Sequence, residues 1–423
     1  MTTEMTTATT TAGTGDLGNE PADAQAAAGG NLARPAGLTG PASQVQARTK
    51  GAARVGLAGR VLIAAGNLQQ HKYPALIQAE AASLGHTGLV ISGNDWSTMM
   101  RRIRRACPDL FLVYDPVESG KLFASKDDPF PQAATADMDT EALFGLTLPT
   151  LEERIEHQIN SGASVAMTPT GYIRAGDQLA LRAVITGAEM LNRDDVVVLL
   201  PLDYKWLVGP ALKTIVGVIK RSKHPVAITL GDSSSDPMSH AGVLAGARTL
   251  AALPGPPIFH KTDLAGFDLM AHGALAASVG VIASKRRAQI PDEKIYAPRT
   301  KKGATVLLLD LLRFRRTLDM TNRWYASRKS PDCTCRVCNG QPIDRFTSED
   351  YDCIVAAQHN GVGILSLTSQ AAAAGGYQRF WPDAVRDAVA AHQTLSQYVG
   401  TQIEPPRQLT AWNSGLPPGP SAP

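Results

Sequence analysis

Short apolar runs recur through the middle of the chain, each separated from the next by a longer stretch. The runs are Val61–Ala65, Leu89–Ser92, Leu110–Tyr114, Val165–Thr168, Val196–Leu200, Val226–Leu230, Ile258–His260 and Val279–Ala283. Between them, residues 96–106, 178–191, 206–221 and 242–250 repeat their apolar positions every three or four residues, as helices with one buried face do. Strands this continuously apolar are covered on both faces, the condition of parallel strands flanked by helices. Eight of them predict an α/β fold, a TIM (β/α)8 barrel, with a doubly wound open sheet as the alternative. No glycine-rich nucleotide fingerprint follows any strand, which weighs against a dinucleotide-binding enzyme. Three further segments read as helices: 264–276, 305–316 (the last barrel helix) and 349–359.

The ends of the chain have a different texture. Residues 1–50 contain no Phe, Trp or Tyr and are dominated by Thr, Ala, Gly and Pro. Such a segment buries too little apolar surface to offset its ordering entropy, so it is expected to be a disordered tail. The expected organisation is then a barrel over 51–325, a subdomain with C-terminal helices over 326–400, and a Pro-rich tail over 401–423. Hydrophobic residues make up 44% of the 423 and aromatics 5%, which suits an aliphatic, alanine-rich core. No apolar run has the length to span a bilayer, and the N-terminus lacks the apolar stretch of a secretory signal. With five cysteines, too few for a disulfide framework, a reducing, cytoplasmic setting is expected and no membrane partner.

Three of those cysteines fall within six residues, Cys333, Cys335 and Cys338, and His359-Asn360 follows about twenty residues later. Three thiolates and one imidazole make a closed tetrahedral set for structural Zn2+, with no position left for water. Cys353 is the rival fourth ligand, on a different face of the helix expected there. From Lys285 to Lys329 there are thirteen Lys or Arg against four Asp or Glu, a local balance of +9 in a chain of net +3. A basic stretch beside a metal loop suits a polyanion such as a nucleic acid.

In a barrel, chemistry gathers where strands end. Asp115 follows the third apolar run, Asp203 the fifth, Asp232 the sixth and Asp263 the seventh. Each of them has an ordinary role available as the N-cap of the next helix. Together around one mouth, two such carboxylates can divide glycosidic chemistry, one attacking the anomeric carbon and the other moving protons.

The C-x-C-x-x-C cluster, the His-Asn pair and the barrel before them resemble the tRNA-guanine transglycosylase family over about residues 60–375. That resemblance implies a zinc subdomain inserted after strand eight, held by Cys333, Cys335, Cys338 and His359. The departures are specific. The family's D-S-G-G-Y-Q stretch begins with an aspartate that contacts the base; Asp115 takes that place, but Pro116-Val117-Glu118-Ser119 follows. The family's nucleophilic aspartate lies on the last strand in F-D-C-V-x-P-T-R, whereas Val279 to Arg287 contains no acid. The chain thus resembles the divergent DpdA-like branch, which inserts 7-deazaguanine bases into DNA. This implies a pentosyltransferase acting on DNA, with tRNA as the alternative, and a preQ0-like base as second substrate, with helper proteins conceivable. The implied roles are Asp263 as nucleophile with Asp268 as second choice, Asp115 as general base holding the base edge, and Asp203 and Asp232 as substrate contacts. Two rivals stand beside this reading: a non-catalytic partner of a tRNA enzyme, and a zinc-stabilised nucleic-acid-binding protein without chemistry.

Overall fold

The structure, a computed structural model, describes residues 51–65, 70–80, 85–116, 119–132, 148–232, 236–293 and 303–415. The expected disorder of 1–50 and the last residues of the expected tail, 416–423, lie outside the described residues.

The eight apolar runs form the eight strands of a barrel. They are β1 (Arg60–Ala64), β2 (Thr87–Ile91), β3 (Leu112–Tyr114), β4 (Ala166–Met167), β5 (Val196–Asp203), β6 (Val226–Gly231), β7 (Ile258–Thr262) and β8 (Ala276–Gly280). All pair in parallel in the order β3-β2-β1-β8-β7-β6-β5-β4. The two ends of that order meet at one parallel bridge, Val113 to Val165, beside which Ser164 N–H donates to Leu112 O at 2.8 Å. The barrel is therefore nearly closed.

Alternation along the strands assigns the two faces. Val61, Ile63, Leu89, Ile91, Leu112, Val198 and Leu200 pack in one cluster with the helices. Their neighbours Leu62, Ala64, Val90, Val113, Val197 and Leu199 form a second cluster, the barrel interior. The short helix Ala52–Leu57 adds Ala53 and Leu57 to that inner cluster. It sits at the amino-terminal ends of the strands, where Ala53 N–H donates to Asp194 O just ahead of β5.

Three expected elements differ. The helix after β7 spans only Ala265–Ala271, because Gly273 at φ +100° terminates it; Ala276 already belongs to β8. Small residues such as Ala276-Ala277-Ser278 satisfy either period, so the pattern alone extends the helix and delays the strand. Residues 305–316 are not a helix but an antiparallel hairpin, β9 (Thr305–Leu308) with β10 (Arg313–Arg316), turned at Leu312 with φ +44°. Leu307 opposite Phe314 produces an apolar spacing that a helix also satisfies.

The place of the eighth barrel helix is taken by Asp350–Ala373. It lies against the helix after β1, Tyr73–Gln78, so closely that a Cβ on Gly361 would come within 2.7 Å of the Tyr73 ring. The cysteine loop is thus an insertion between β8 and its helix, and Tyr325 and Cys338, on either side of 325/326, share one apolar cluster. Ile364, Leu365, Trp381 and Trp412 share the barrel's outer cluster. The tail expected from 401 is also packed in part: Arg407–Ser414 is a helix with Leu409 and Trp412 buried. Among the described residues, no helix is long and apolar enough to cross a membrane.

Candidate active site and metal centre

The candidate metal centre is built by a tight loop and one helix. A two-residue ladder, β11 (Asp332–Cys333) with β12 (Gln341–Pro342), closes the loop. Gly340 N–H donates to Cys333 O at 2.9 Å and Asn339 N–H to Cys335 O at 2.8 Å, with Asn339 and Gly340 both at positive φ to make the turn. The three sulfurs converge on His359 Nδ1, at 3.7 Å from Cys333, 3.4 Å from Cys335 and 3.4 Å from Cys338. All four donor atoms lie within 4.8 Å of one another. Metal–sulfur bonds of about 2.3 Å and metal–nitrogen bonds of about 2.0 Å in a tetrahedron put donors roughly 3.5–3.8 Å apart, so this group can hold a metal ion. Cys353 is not in the cluster; it packs half-buried against the neighbouring apolar residues.

The residues behind the ligands set its orientation. His359 Nε2 donates to Leu307 O at 2.9 Å, which turns Nδ1 toward the sulfurs. Asn360, fully buried, accepts from Leu307 N–H at 2.6 Å and donates to Val281 O at 2.8 Å and Thr305 O at 2.9 Å. Adjacent residues of one helix therefore hold the metal loop and the chain leaving β8 together.

At the carboxyl ends of the strands the dominant feature is a bulge in β7. Phe259 faces Ala277 and Thr262 faces Val279, so one extra residue is accommodated on β7, where Lys261 adopts φ +56°. The Ser278 hydroxyl accepts the displaced Lys261 N–H at 2.7 Å. As a result His260 and Lys261, neighbours in sequence, both reach Asp115: Nε2 of His260 lies 3.4 Å from Oδ1 and Nζ of Lys261 3.0 Å from Oδ2. Ser278 Oγ lies 2.9 Å from His260 Nδ1. With its hydroxyl donating there, Nε2 carries the proton that faces the carboxylate. Burial disfavours the Asp115 charge, but Lys261, the adjacent His260 ring and Lys285 outweigh it and hold this carboxyl well below the usual range. Burial pushes His260 down, keeping it a neutral donor. Asp115 is thus a fixed anion, suited to accepting N–H donors and poorly suited to taking a proton.

Asp263 belongs to a second group. Its Oδ1 accepts Ala265 N–H at 2.8 Å, so the capping role is real. Burial pushes its carboxyl up, against the opposing pull of that N–H and of Arg286. Asp236, in the loop after β6, is pushed well up by burial and then by the charge of Asp263. Its Oδ1 accepts Met238 N–H at 3.1 Å, while its Oδ2 is buried without a hydrogen-bond partner. The Arg286 guanidinium, 3.3 Å above the Phe314 ring, donates to Gly280 O and Val281 O; burial lowers it to about 10 despite both aspartates. Asp236, His260, Lys261, Thr262 and Arg286 line a cavity of about 10 Å³, room for one water at most.

Asp203 and Asp232 stand on the same rim in other roles. Asp203 caps the turn Tyr204–Leu207, accepting Lys205 N–H at 2.9 Å. Asp232 meets His240 Nε2 at 3.3 Å, and the His240 ring stacks on Tyr204 at 4.0 Å. Asp268, the second choice for nucleophile, is not brought to the mouth. It is fully buried in the helical layer in a two-bond pair with Arg248, both contacts 2.8 Å, and accepts from Trp381 Nε1 at 3.2 Å. Breaking such a pair costs about 3–5 kcal/mol, and this structural role accounts for the residue. The basic segment is not one continuous face: Arg286 sits in the mouth, whereas Arg313 and Arg315 lie 5.7 and 5.3 Å from the Trp324 ring. Lys294, Arg299, Lys301 and Lys302 fall outside the described residues.

Four mouth residues were not among the sequence candidates: His260, Lys261, Asp236 and Arg286. For the first two a signal existed, since ionisable neighbours within an apolar run covered on both faces are costly to bury without a partner.

No protein-family model matches this chain, and no curated protein matches it. Solved structures do match. Two are structures of the carboxyl transferase domain from Rhizobium etli pyruvate carboxylase, one with pyruvate and biocytin and one with 3-hydroxypyruvate. The identity is 12% in both, with TM-scores of 0.30 and 0.31. The matches cover 86% and 85% of this chain, and the chain spans 61% of the length of those structures.

Proposed function

We propose that this chain is a transglycosylase that exchanges guanine in DNA for a 7-deazaguanine such as preQ0. The observation that carries the reading is the Cys333, Cys335, Cys338 and His359 group, tied through Asn360 to the exit of β8 in an eight-stranded barrel. The resemblance drawn from the sequence expects this juxtaposition. A mouth that separates a fixed anion, Asp115, from a raised pair, Asp236 and Asp263, supports the chemistry, because environments that push carboxyl groups apart assign them different tasks.

The target nucleotide must leave its stack before an enzyme can reach C1′. An Asp263 carboxylate oxygen then bonds to C1′ as guanine departs, leaving a covalent glycosyl ester. N9 of the 7-deazaguanine displaces Asp263, and two inversions retain configuration. Asp115, kept ionised, accepts the N–H donors of the base edge. A Zn2+ ion would be held by Cys333, Cys335, Cys338 and His359, where it supplies folding energy to the inserted loop.

The test is transfer of labelled guanine or preQ0 into a guanine-containing oligodeoxynucleotide, with tRNA in a parallel arm. Wild-type protein is expected to exchange the base in DNA and to form a complex that survives denaturation, while Asp263→Asn forms none. A trapped complex in Asp263→Asn removes that residue from the role. Exchange in tRNA alone overturns the DNA assignment.

A further inference from the structure

We infer that Asp236 carries the proton in both halves of the exchange, acting as the partner of Asp263 in place of Asp115. The inference rests on the transglycosylase reading and divides its labour differently. Asp115 is already engaged by Lys261 Nζ at 3.0 Å and His260 Nε2 at 3.4 Å, so protonating it would break an ion pair inside the barrel. Asp236 is in the opposite position. Its Oδ1 is anchored on Met238 N–H, and its Oδ2 is buried, unpartnered and on the wall of the small cavity beside β7. A carboxyl group with one oxygen anchored and the other desolvated and without a hydrogen-bond partner is arranged to keep a proton on the bare oxygen. Each acid has a backbone N–H and Arg286 favouring its charge, but for Asp263 they come next after burial, whereas for Asp236 the charge of Asp263 outweighs either Met238 N–H or Arg286. Of two carboxyl groups that resist being charged together, Asp263 keeps the charge and Asp236 the proton.

The steps balance. An Asp263 oxygen forms its bond to C1′ while the C1′–N9 bond breaks. The electron pair of the broken bond goes to N9, which takes the Asp236 proton, so guanine leaves neutral. The incoming 7-deazaguanine then gives its N9 proton to the Asp236 carboxylate as N9 bonds to C1′. The C1′–O bond breaks and its pair returns to Asp263, restoring both groups.

A leaving group that needs no proton separates this role from a structural one. 7-Methylguanine in DNA is cationic and departs neutral without an acid. Asp236→Asn keeps the Oδ1 acceptor for Met238 N–H and is nearly isosteric; its fold is checked by melting. With guanine DNA it is expected to form the covalent complex at least about 100-fold more slowly than wild type, within the range general acids supply. With 7-methylguanine DNA the loss should stay under about fivefold. Asp236→Glu should restore part of the guanine rate with a displaced pH profile. Equal losses on both DNAs, or an undiminished guanine rate, overturn the inference. A wild-type protein that forms no complex with either DNA overturns the transglycosylase reading itself.

Discussion

Replacing Asn360 by alanine tests the central architectural claim, that one amide fixes the inserted metal loop to the barrel. The side chain is fully buried and makes three hydrogen bonds. Val281 O retains a second donor, Arg286 Nη2 at 3.2 Å, so its loss is small. Leu307 N–H is the serious case, a buried donor left facing the truncated side chain. An unsatisfied buried donor costs about 1–3 kcal/mol and each lost hydrogen bond about 1 kcal/mol, so the substitution should cost about 3–5 kcal/mol. For a chain of 423 residues one kcal/mol corresponds to about 1–2 °C, giving a fall in Tm of about 3–10 °C. Leu307 O also accepts from His359 Nε2, so loosening this strand should release the imidazole and weaken metal binding about tenfold or more. Thermal unfolding followed by circular dichroism, with zinc release to a competing chromogenic chelator, reads both effects. A variant melting within about 1 °C of wild type and releasing zinc at the same chelator concentration refutes the reasoning.

Two further outcomes follow from the same geometry. Cys338→Ser should abolish stoichiometric zinc, measured by elemental analysis of purified protein, whereas Cys353→Ser should retain it, because Cys353 lies outside the ligand group. Asp115 has a depressed carboxyl in the folded state, so its charge stabilises the protein above the unfolded value of about 4 and that contribution is lost as pH falls below it. Asp115→Asn should therefore be less stable than wild type at pH 7, with the gap in urea midpoint steady down to about pH 4 and narrowing progressively as pH falls further; a gap that does not narrow below about pH 4 counts against the ion pair.

How much of this was legible in the sequence depends on how local each feature is. The barrel strands were legible because a strand covered on both faces must be apolar at every position, whatever its partners. The group that can hold a metal ion was legible because a chelating loop needs its donors at short spacing. Residues 305–316 were not, since a hairpin with apolar faces and an amphipathic helix can both bring Leu307, Leu311 and Leu312 to buried positions. The packing around residue 325 was equally hidden. The periodicity predicts a helix over 349–359, but not that it runs on to Ala373 or that it packs beside Tyr73.

The carboxylates at the mouth take this limit further. Asp115, Asp203, Asp232 and Asp263 were recognisable by position, each just past an apolar run, and position is all that an N-cap requires. Asp203 does no more than cap among the hydrogen bonds of its carboxylate described here, and Asp263 caps as well. What separates them is the company supplied by other strands. The β7 bulge swings both His260 and Lys261 onto Asp115, an outcome fixed by the pairing of Phe259 and Thr262 with β8 and invisible in the run Ile258-Phe259-His260-Lys261-Thr262 read by itself. Asp236 was hidden in a polar loop where an aspartate before proline reads as turn chemistry, and it does cap Met238 N–H. Its second oxygen, buried and bare, distinguishes it from an ordinary cap. An acid kept for turn formation alone gains nothing from a desolvated free oxygen, whereas one that must hold a proton beside a charged neighbour requires it.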